Sequence, residues 1–458
     1  MRSRRITLIV LGLCTLAYDI SGQDRPIPIA DQQYHKPHRY LPGVSVTRPA
    51  FIHAPTLNDP MDNECNECQN HQSRSSLHHL VYETLDLDGA LEPVVTGVGQ
   101  YVSFEEYQLS FYGGAEIIAW STNSPSVQPL ITTSPTGTPQ AQAGVLGQAG
   151  TTTLFGGGLF DDSRVGGRYT GAIVFSGPQR WILEATYTMI GDGKVFYQAN
   201  NNPNIIARPF YNSDASADDA RLIVFPGLAT GFADIEAKTT FDTFQLAFRR
   251  ALGQPIAGAN ADYTIGYRKA SLDEYLQIMD ISNVSSGPVA GSRFEVRDSF
   301  RVNNQFDGVD LGVVMRMQRS PKLALDLLAK LALGRSESVV RIDGRTITRP
   351  AGGIRAGQSG GLLTQGTNIG TFRDTSFSTM FEFGATLRYQ FTPHVQGTVG
   401  YTLLTWQDVA RVANQLDSAV NPTQFNGGAL IGDPRPRFRF NQDDFVAHGL
   451  RAGIQIMF

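Results

Sequence analysis

The feature of the sequence that most constrains the fold is a strict alternation at the C-terminus. Apart from His448, one row of alternate residues is apolar: Phe458, Ile456, Ile454, Ala452, Leu450 and Val446. The residues between them are mostly small or polar: Met457, Gln455, Gly453, Arg451, Gly449 and Ala447. A membrane strand with this pattern turns one row to lipid and the other to a polar interior. The alternation therefore predicts a transmembrane β-barrel, and a buried strand of a soluble exported protein is the alternative.

The last residue, Phe458, carries a second implication. A chain that ends on an aromatic residue after such a strand resembles the assembly signal of bacterial outer-membrane proteins. We therefore expect Phe458 to be the insertion signal that the barrel-assembly machinery reads.

The same alternation recurs upstream and predicts ten strands. They lie near residues 110–120, 164–175, 180–190, 231–249, 262–278, 294–318, 323–334, 376–391, 395–406 and 445–458. Tight turns alternate with much longer connections, which is typical of outer-membrane barrels. The predicted fold class is all-β: a transmembrane antiparallel up-and-down β-barrel of about ten strands, with short periplasmic turns and long extracellular loops. Twelve strands are the alternative, because Val339–Ile342, Asp343–Gly344 and Arg345–Thr348 have the pattern of a further hairpin.

Charged residues on the polar rows are the candidate lumen residues. They are Arg168, Glu184, Asp310, Arg316, Asp326, Lys330, Glu382, Arg388 and Arg451. In one interpretation they form a constriction that sorts solutes. In the other they form a salt-bridge network that plugs a narrow barrel. A barrel of about eight strands is just filled by side chains, whereas water-filled porins have about 16–18, so ten strands favour the plug.

The N-terminal part predicts export. Residues 1–22 have the layout of a secretory signal peptide, with Arg2, Arg4 and Arg5 before an apolar run at 6–17. No later segment has 18 uninterrupted apolar residues, so the sequence predicts no membrane-spanning helix. Residues 23–105 are expected to form a Pro- and His-rich periplasmic segment, and residues 106–458 the barrel.

One possible metal site lies in the N-terminal segment. Cys65 and Cys68 form a Cys-x-x-Cys motif, and His71 follows three residues later. Two thiolates and imidazoles could hold Zn²⁺. However, the spacing matches no standard zinc finger, and an exported protein more often oxidises such a pair to a disulfide. A disulfide or an ordinary linker is therefore favoured over metal, and no cofactor is predicted.

Several motifs resemble one known family. They are Pro129–Gly158, Ala207–Asn212, Val224–Leu228, Gly266–Arg268, Leu272–Glu274, Leu325–Gly334 and Asn421–Gln424. Together they make residues 106–458 similar to the bacterial beta-barrel porin 7 family. The resemblance implies a porin-like outer-membrane β-barrel without a known substrate, and it transfers no catalytic residue.

These observations predict a porin-like protein of the cell outer membrane with a narrow, charged lumen for small solutes. The alternative is a structural or adhesive surface protein whose long loops bind partners. An enzyme is disfavoured, because the barrel region has only His394 and His448, at opposite rims. The formal net charge of -4 argues against a nucleic-acid partner. Outer-membrane lipid is the expected partner, and the oligomeric state is left open.

Overall fold

The computed structural model describes residues 108–177, 180–200, 204–256, 258–427 and 429–458, and two short strands before them. Those two strands, Val94–Val95 and Tyr101–Val102, pair with each other in antiparallel fashion. Residues 1–22 and the Cys65, Cys68 and His71 motif lie outside the described residues, as does most of the 23–105 segment.

Ten long strands form the main sheet. They are β1 (Gln108–Thr122), β2 (Arg164–Ser176), β3 (Trp181–Ala199), β4 (Ala229–Ala251), β5 (Asn260–Val284), β6 (Arg293–Gln318), β7 (Leu323–Arg349), β8 (Gly370–Thr392), β9 (Val395–Ala410) and β10 (Gln442–Met457). Each strand pairs with the next along the chain, and β10 pairs with β1 from Ala447↔Thr122 to Met457↔Tyr112. The sheet is thus a closed, antiparallel, up-and-down barrel, which confirms the prediction of ten strands.

The twelve-strand alternative is wrong because β7 continues through Asp343–Gly344 to Arg349. A Cβ atom at Gly344 would lie 1.8 Å from Oγ1 of Thr364. The glycine therefore accommodates the close approach of the β7–β8 loop and does not form a hairpin turn.

The connections differ between the two ends of the barrel. At one end they are residues 177–180, 252–259, 319–322 and 393–394, and at the other they are 123–163, 200–228, 285–292, 350–369 and 411–441. We call these the short-turn end and the long-loop end. The alternation of short and long connections follows the prediction, with 285–292 as one short connection at the long-loop end.

The outer wall carries an apolar band next to the short-turn end. Outward residues in this band, such as Leu311, Phe383 and Ile454, are 39%, 50% and 54% exposed. On β7 the band runs from Leu323 to Leu333, a length close to the ~9–11 residues with which a tilted strand spans a membrane. Charged outward residues begin directly above it: Asp242, Lys269, Asp307, Arg335 and Asp444. Strands β4 to β7 have 23 to 27 residues and therefore project well beyond the band.

The long loops form a second sheet at the projecting end. Its strands are Ser126–Ser134, Thr152–Gly158, Ile205–Asn212, Ala217–Val224 and Ala419–Val420, and we call it the loop sheet. Its apolar side chains, such as Ile131 and Ile206, share one buried core with Ile278, Phe300 and Val340 of the barrel wall. In the part of the chain that the structure describes, no helix is long and apolar enough to cross a membrane.

Candidate functional site

The centre of the barrel interior near the short-turn end is Glu382, which is 1% exposed. Its carboxylate accepts hydrogen bonds from Nη1 of Arg168 at 3.0 Å, Nη2 of Arg268 at 2.6 Å and Nε2 of Gln245 at 2.8 Å. These donors lie on β2, β5 and β4, whereas Glu382 lies on β8. Since β8 is not adjacent to any of these strands in the sheet, the contacts cross the interior.

Asp310 on β6 extends this cluster and has no exposed surface. Its carboxylate lies 3.1 Å from Nε of Arg268 and 3.7 Å from Nζ of Lys330. Lys330 also donates a hydrogen bond to Oε1 of Gln245 at 2.7 Å. A buried carboxylate costs several kcal/mol unless it is paired, so these two cations hold Asp310 in place.

Two further carboxylates each bind two arginines. Asp326 accepts both Nε and Nη2 of Arg316 at 2.8 Å and Nε of Arg388 at 2.6 Å. Glu116 lies 2.8 Å from Nη1 of Arg451 and 3.9 Å from Nε of Arg168. The paired Arg316 contact is the two-pronged geometry in which guanidinium groups bind carboxylates best.

A further group of contacts lies near the short turns. Arg249 is 2.7 Å from Asp262 and 3.8 Å from Glu184, and Arg180 reaches Asp262 at 2.7 Å. The hydroxyl of Tyr112 donates to Glu184. We call all of these interior charged groups, from Glu382 to Arg180, the lower network.

The structure places all nine sequence-predicted lumen residues on the inner face, and each has an ion-pair partner in the lower network. The members of this interior cluster outside the predicted set are Tyr112, Glu116, Arg180, Gln245, Arg249, Asp262 and Arg268. Asp262 and Arg268 share the even parity of β5, but the same strand carries Lys269 and Asp273 on its outer face. Because both rows of β5 are charged, alternation alone does not separate its two faces.

A small cavity of about 80 Å³ opens within the lower network. Its lining includes the charged residues Glu116, Arg168, Glu184, Arg249, Asp326, Lys330, Arg388 and Arg451. Five of these eight are cations and three are anions. A polar cavity of this size holds several water molecules, because one water needs only about 10–15 Å³ of such volume.

Above the lower network, the interior is filled by apolar side chains. We call this cluster the apolar layer: Ile118, Trp120, Ile190, Phe241, Ala270, Leu272, Phe306, Ala332, Met380, Leu404, Trp406, Val409, Phe445 and Ala447. Nine of the ten strands contribute to it. The ring centroids of Phe241 and Phe445 lie 4.8 Å apart, and those of Phe306 and Trp406 lie 6.1 Å apart. Both pairs join strands that are not neighbours, so they bridge the interior.

The exposure of the apolar layer shows that it is dry. Every residue in it is at most 3% exposed. Water in a channel at this height would make part of these side chains accessible. A polar inner face was expected along the whole barrel, and at this height the inner face is apolar instead. We call the interior below the apolar layer the lower half and the interior above it the upper half.

In the upper half, ion pairs attach the loops to the wall. Arg208 of the loop sheet lies 3.0 Å from Asp280 on β5 and 2.5 Å from Asp298 on β6, and all three are at most 1% exposed. Asp298 also accepts the backbone amides of Leu363 and Thr364, both at 2.9 Å. Burial lowers the pKa of Arg208, but the carboxylates of Asp298 and Asp280 more than offset this and raise it.

The β9–β10 loop is attached in the same way. Glu274 on β5 lies 2.8 Å from Nη2 of Arg411 and accepts the backbone amide of Val412 at 2.8 Å. The guanidinium of Arg411 lies 5.5 Å from the ring centroid of Phe445, directly over the apolar layer. This loop therefore covers the layer from the long-loop side.

The remaining candidates lie outside the interior. Phe458 follows β10 and is 70% exposed, and its amide donates to the carbonyl of Phe111 at 2.8 Å. His448 contacts the hydroxyl of Tyr401 at 2.8 Å on the outer face, and His394 lies in a short turn. Among the residues that the structure describes, no group of three or more His, Cys, Asp or Glu is placed to hold a metal ion.

The closed sheet and its apolar outer band define a membrane-type β-barrel with a filled interior. The family model described as "Putative beta barrel porin-7 (BBP7)" matches residues 112–458. The chain belongs to this family, which confirms the resemblance found in the sequence and makes the protein porin-like in kind.

Similar solved structures include three outer-membrane-type proteins, each 7% identical to this chain. The outer membrane protease OmpT from Escherichia coli has a TM-score of 0.30, over 78% of this chain and 100% of its own. A Pseudomonas aeruginosa FadL homologue has a TM-score of 0.20, over 77% and 90%. The outer membrane protein OmpT of Vibrio cholerae has a TM-score of 0.12, over 77% and 99%. No curated protein matches the sequence.

Proposed function

We propose that this protein is a porin-like β-barrel of the cell outer membrane whose interior is closed in the resting state. The apolar outer band and the family support the membrane location. The short-turn end then faces the periplasm and the long-loop end faces outward, as in other outer-membrane barrels.

A single observation carries the proposal of a closed interior: the apolar layer, contributed by nine strands, is at most 3% exposed throughout. Small solutes and ions can enter the charged cavity below it from the periplasmic side. To pass further, they must displace the layer and the Arg411 loop above it. Passage of small solutes is therefore gated, and the nine predicted lumen residues act at the inner side of the gate.

Current through the unmodified, purified full-length protein in a planar bilayer tests this proposal. A closed interior predicts little steady current at moderate voltage, with at most brief openings. A wide, steady channel would overturn the proposal, because neither the layer nor the lower network leaves room for it.

A second candidate function is supported by the loop sheet. It is an ordered structure fixed to the wall through Arg208 and Arg411, and an ordered surface loses little entropy when it binds a partner. Under this alternative, a variant with residues 136–150 replaced by a short glycine linker keeps the closed barrel but loses attachment of whole cells to a surface.

We also propose that the protein is not an enzyme. His394 and His448 occupy a turn and the lipid-facing wall, so neither lies beside a nucleophile in the interior. Residues 1–22 would be removed on export, and residues 23–105 would remain in the periplasm.

The assembly role of Phe458 is part of the same proposal. Its ring lies exposed at the periplasmic edge of the last strand, where assembly machinery can contact it. Deleting Phe458 should leave the protein in the periplasm or degraded. A matched deletion in a short turn, Ser320, should leave more protein in the outer-membrane fraction, and normal levels of the Phe458 deletion would contradict the proposal.

A further inference from the structure

The outer face of β6 and β7 carries six arginines in directly opposed pairs. Arg301 is opposite Arg341, Arg297 opposite Arg345, and Arg293 opposite Arg349. All six have the same parity as the exposed residues Val309 and Leu333, so they lie on the outer wall. We call them the arginine ladder. The pairs repeat every four residues, which is about 13 Å along a strand.

Opposed like charges destabilise a sheet, because Cβ atoms of facing residues lie only about 4.5–5.5 Å apart. The outer face also carries Glu295 and Asp343 among these arginines, but among the described residues only Asp343 lies within ion-pair distance of one of them. Arg297 lies 3.8 Å from an exposed carboxylate of Asp343, and Arg301 lies 5.4 Å from the ring centroid of Tyr275. In the part of the chain that the structure describes, Arg341, Arg345 and Arg349 have no carboxylate within 4.0 Å.

Strands β3 and β4 show how the protein balances such a pair elsewhere on the outer wall. Lys194 on β3 stands directly opposite Lys238 on β4. There, the carboxylate of Asp192 lies 3.7 Å from Lys194 and 3.1 Å from Lys238. The lysine pair therefore has its own counterion within the chain. The arginine ladder has the same like-charge geometry with far less compensation, which points to an anion supplied from outside.

The position of the ladder identifies the kind of anion. Asp307 and Arg335 form the row at the upper edge of the apolar band. The ladder begins six residues above that row, and with tilted strands this is about 15 Å above the band. It ends eight residues higher, about 20 Å further from the membrane. A lipid phosphate at the membrane surface cannot reach these pairs. A saccharide chain that rises from the surrounding lipid along the wall can reach all three.

We propose that the arginine ladder binds the anionic saccharide chain of a phosphorylated glycolipid in the leaflet around the long-loop end. This inference rests on the proposed outer-membrane location. Each pair offers two guanidinium groups to one phosphate or carboxylate, and such contacts are frequently bidentate. The bound anions also remove the repulsion between facing arginines. The glycolipid thus stabilises the projecting wall and orders the lipid around it.

The test uses the full-length protein in phosphatidylcholine nanodiscs that contain lipopolysaccharide with a phosphorylated core. The unmodified protein should retain at least fivefold more of it than of the same lipopolysaccharide after phosphatase treatment, and added salt should reduce the difference. The double variant Arg301→Gln, Arg341→Gln removes one of the three pairs and should retain less than the unmodified protein. The control Lys194→Gln, Lys238→Gln also removes two opposed cations and should retain as much as the unmodified protein.

Two further readouts keep the inference falsifiable. Without glycolipid, the Arg301→Gln, Arg341→Gln variant should unfold at the same temperature as the unmodified protein or a higher one, because repulsion is relieved. A lower unfolding temperature, equal retention by both double variants, or equal binding of core oligosaccharide freed from its lipid would overturn the inference. Cell fractionation and bilayer current test the proposed location and closure separately, so a conducting barrel with ladder-dependent retention would contradict only the proposed function.

Discussion

The lower and upper halves of the barrel interior are held together by different kinds of contact. In the lower half, ion pairs join wall strands to each other, as Glu382 on β8 does with Arg168 on β2 and Arg268 on β5. In the upper half, they join the wall to loops, as Asp298 on β6 does with Arg208. The lower network therefore fixes the barrel itself, whereas the upper contacts fix what closes its outer end.

The largest expected effect is the loss of a lower-network carboxylate. Glu382→Ala leaves Arg168 and Arg268 without a main partner in a confined space, which typically costs about 3–5 kcal/mol. The free energy of unfolding in denaturant, measured on the protein in lipid, should fall by that amount. The control is Glu337→Ala, whose exposed pair with Arg335 is worth about 0–1 kcal/mol. Equal effects of the two variants would mean that the lower half is a water-filled channel.

The next largest loss of stability is expected from a charge placed on the outer wall of the barrel. Leu327→Arg places a charge in the apolar band and should destabilise the protein by about 2–4 kcal/mol. Val339→Glu also adds a charge to the outer face of the same strand, but above the band and opposite Arg373, and it should stay within about 0.5 kcal/mol. Denaturant unfolding in lipid measures both variants. Equal destabilisation would show that the projecting wall is also surrounded by lipid.

A smaller and more local effect is expected in the upper half. Arg208→Met leaves Asp298 without its cation and Asp280 with Arg221 alone, at 3.1 Å, but the loop can open and let water reach them. We expect a local cost of about 1.5–3 kcal/mol, the range for hydrogen bonds to charged groups. Amide hydrogen exchange should accelerate in residues 204–224 and 361–365 only. Arg435→Met, which removes a half-exposed pair with Asp417, should leave these residues protected. A lower global free energy of unfolding without faster amide exchange in these segments would contradict the distinction between the two halves.

The sequence predicts the lower half better than the upper half for a physical reason. The ten strands and the nine interior charges follow from alternation, which is a local property of each strand. Arg268 is not predicted as a lumen residue, because both faces of β5 carry charge. The apolar layer is not predicted either, because Phe306 and Trp406 belong to the same residue types that face lipid. The alternation therefore does not reveal a dry interior.

The upper contacts depend on loops that alternation does not describe. Arg208 meets Asp280 and Asp298 across 72 and 90 residues of sequence. Gly344 is a second example of a position that the local sequence does not predict. Asp343–Gly344 is typical of a turn, but the strand remains extended there, beside Thr364. In both cases the outcome depends on how a long loop packs inside the barrel.

The current through a layer variant tests most directly whether the apolar layer closes the barrel. In Phe306→Ala, Trp406→Ala, two aromatic rings that meet across the interior are removed. The control Phe377→Ala, Phe383→Ala removes two rings from the outer wall, where they are 67% and 50% exposed. The lower network and the Arg411 loop remain in this variant. In planar bilayers, with folding of each variant verified by heat-modifiable gel mobility, the layer variant should therefore open more often, without a wide steady current, while the control and the unmodified protein stay nearly silent. A folded layer variant that is as silent as its control would contradict the account.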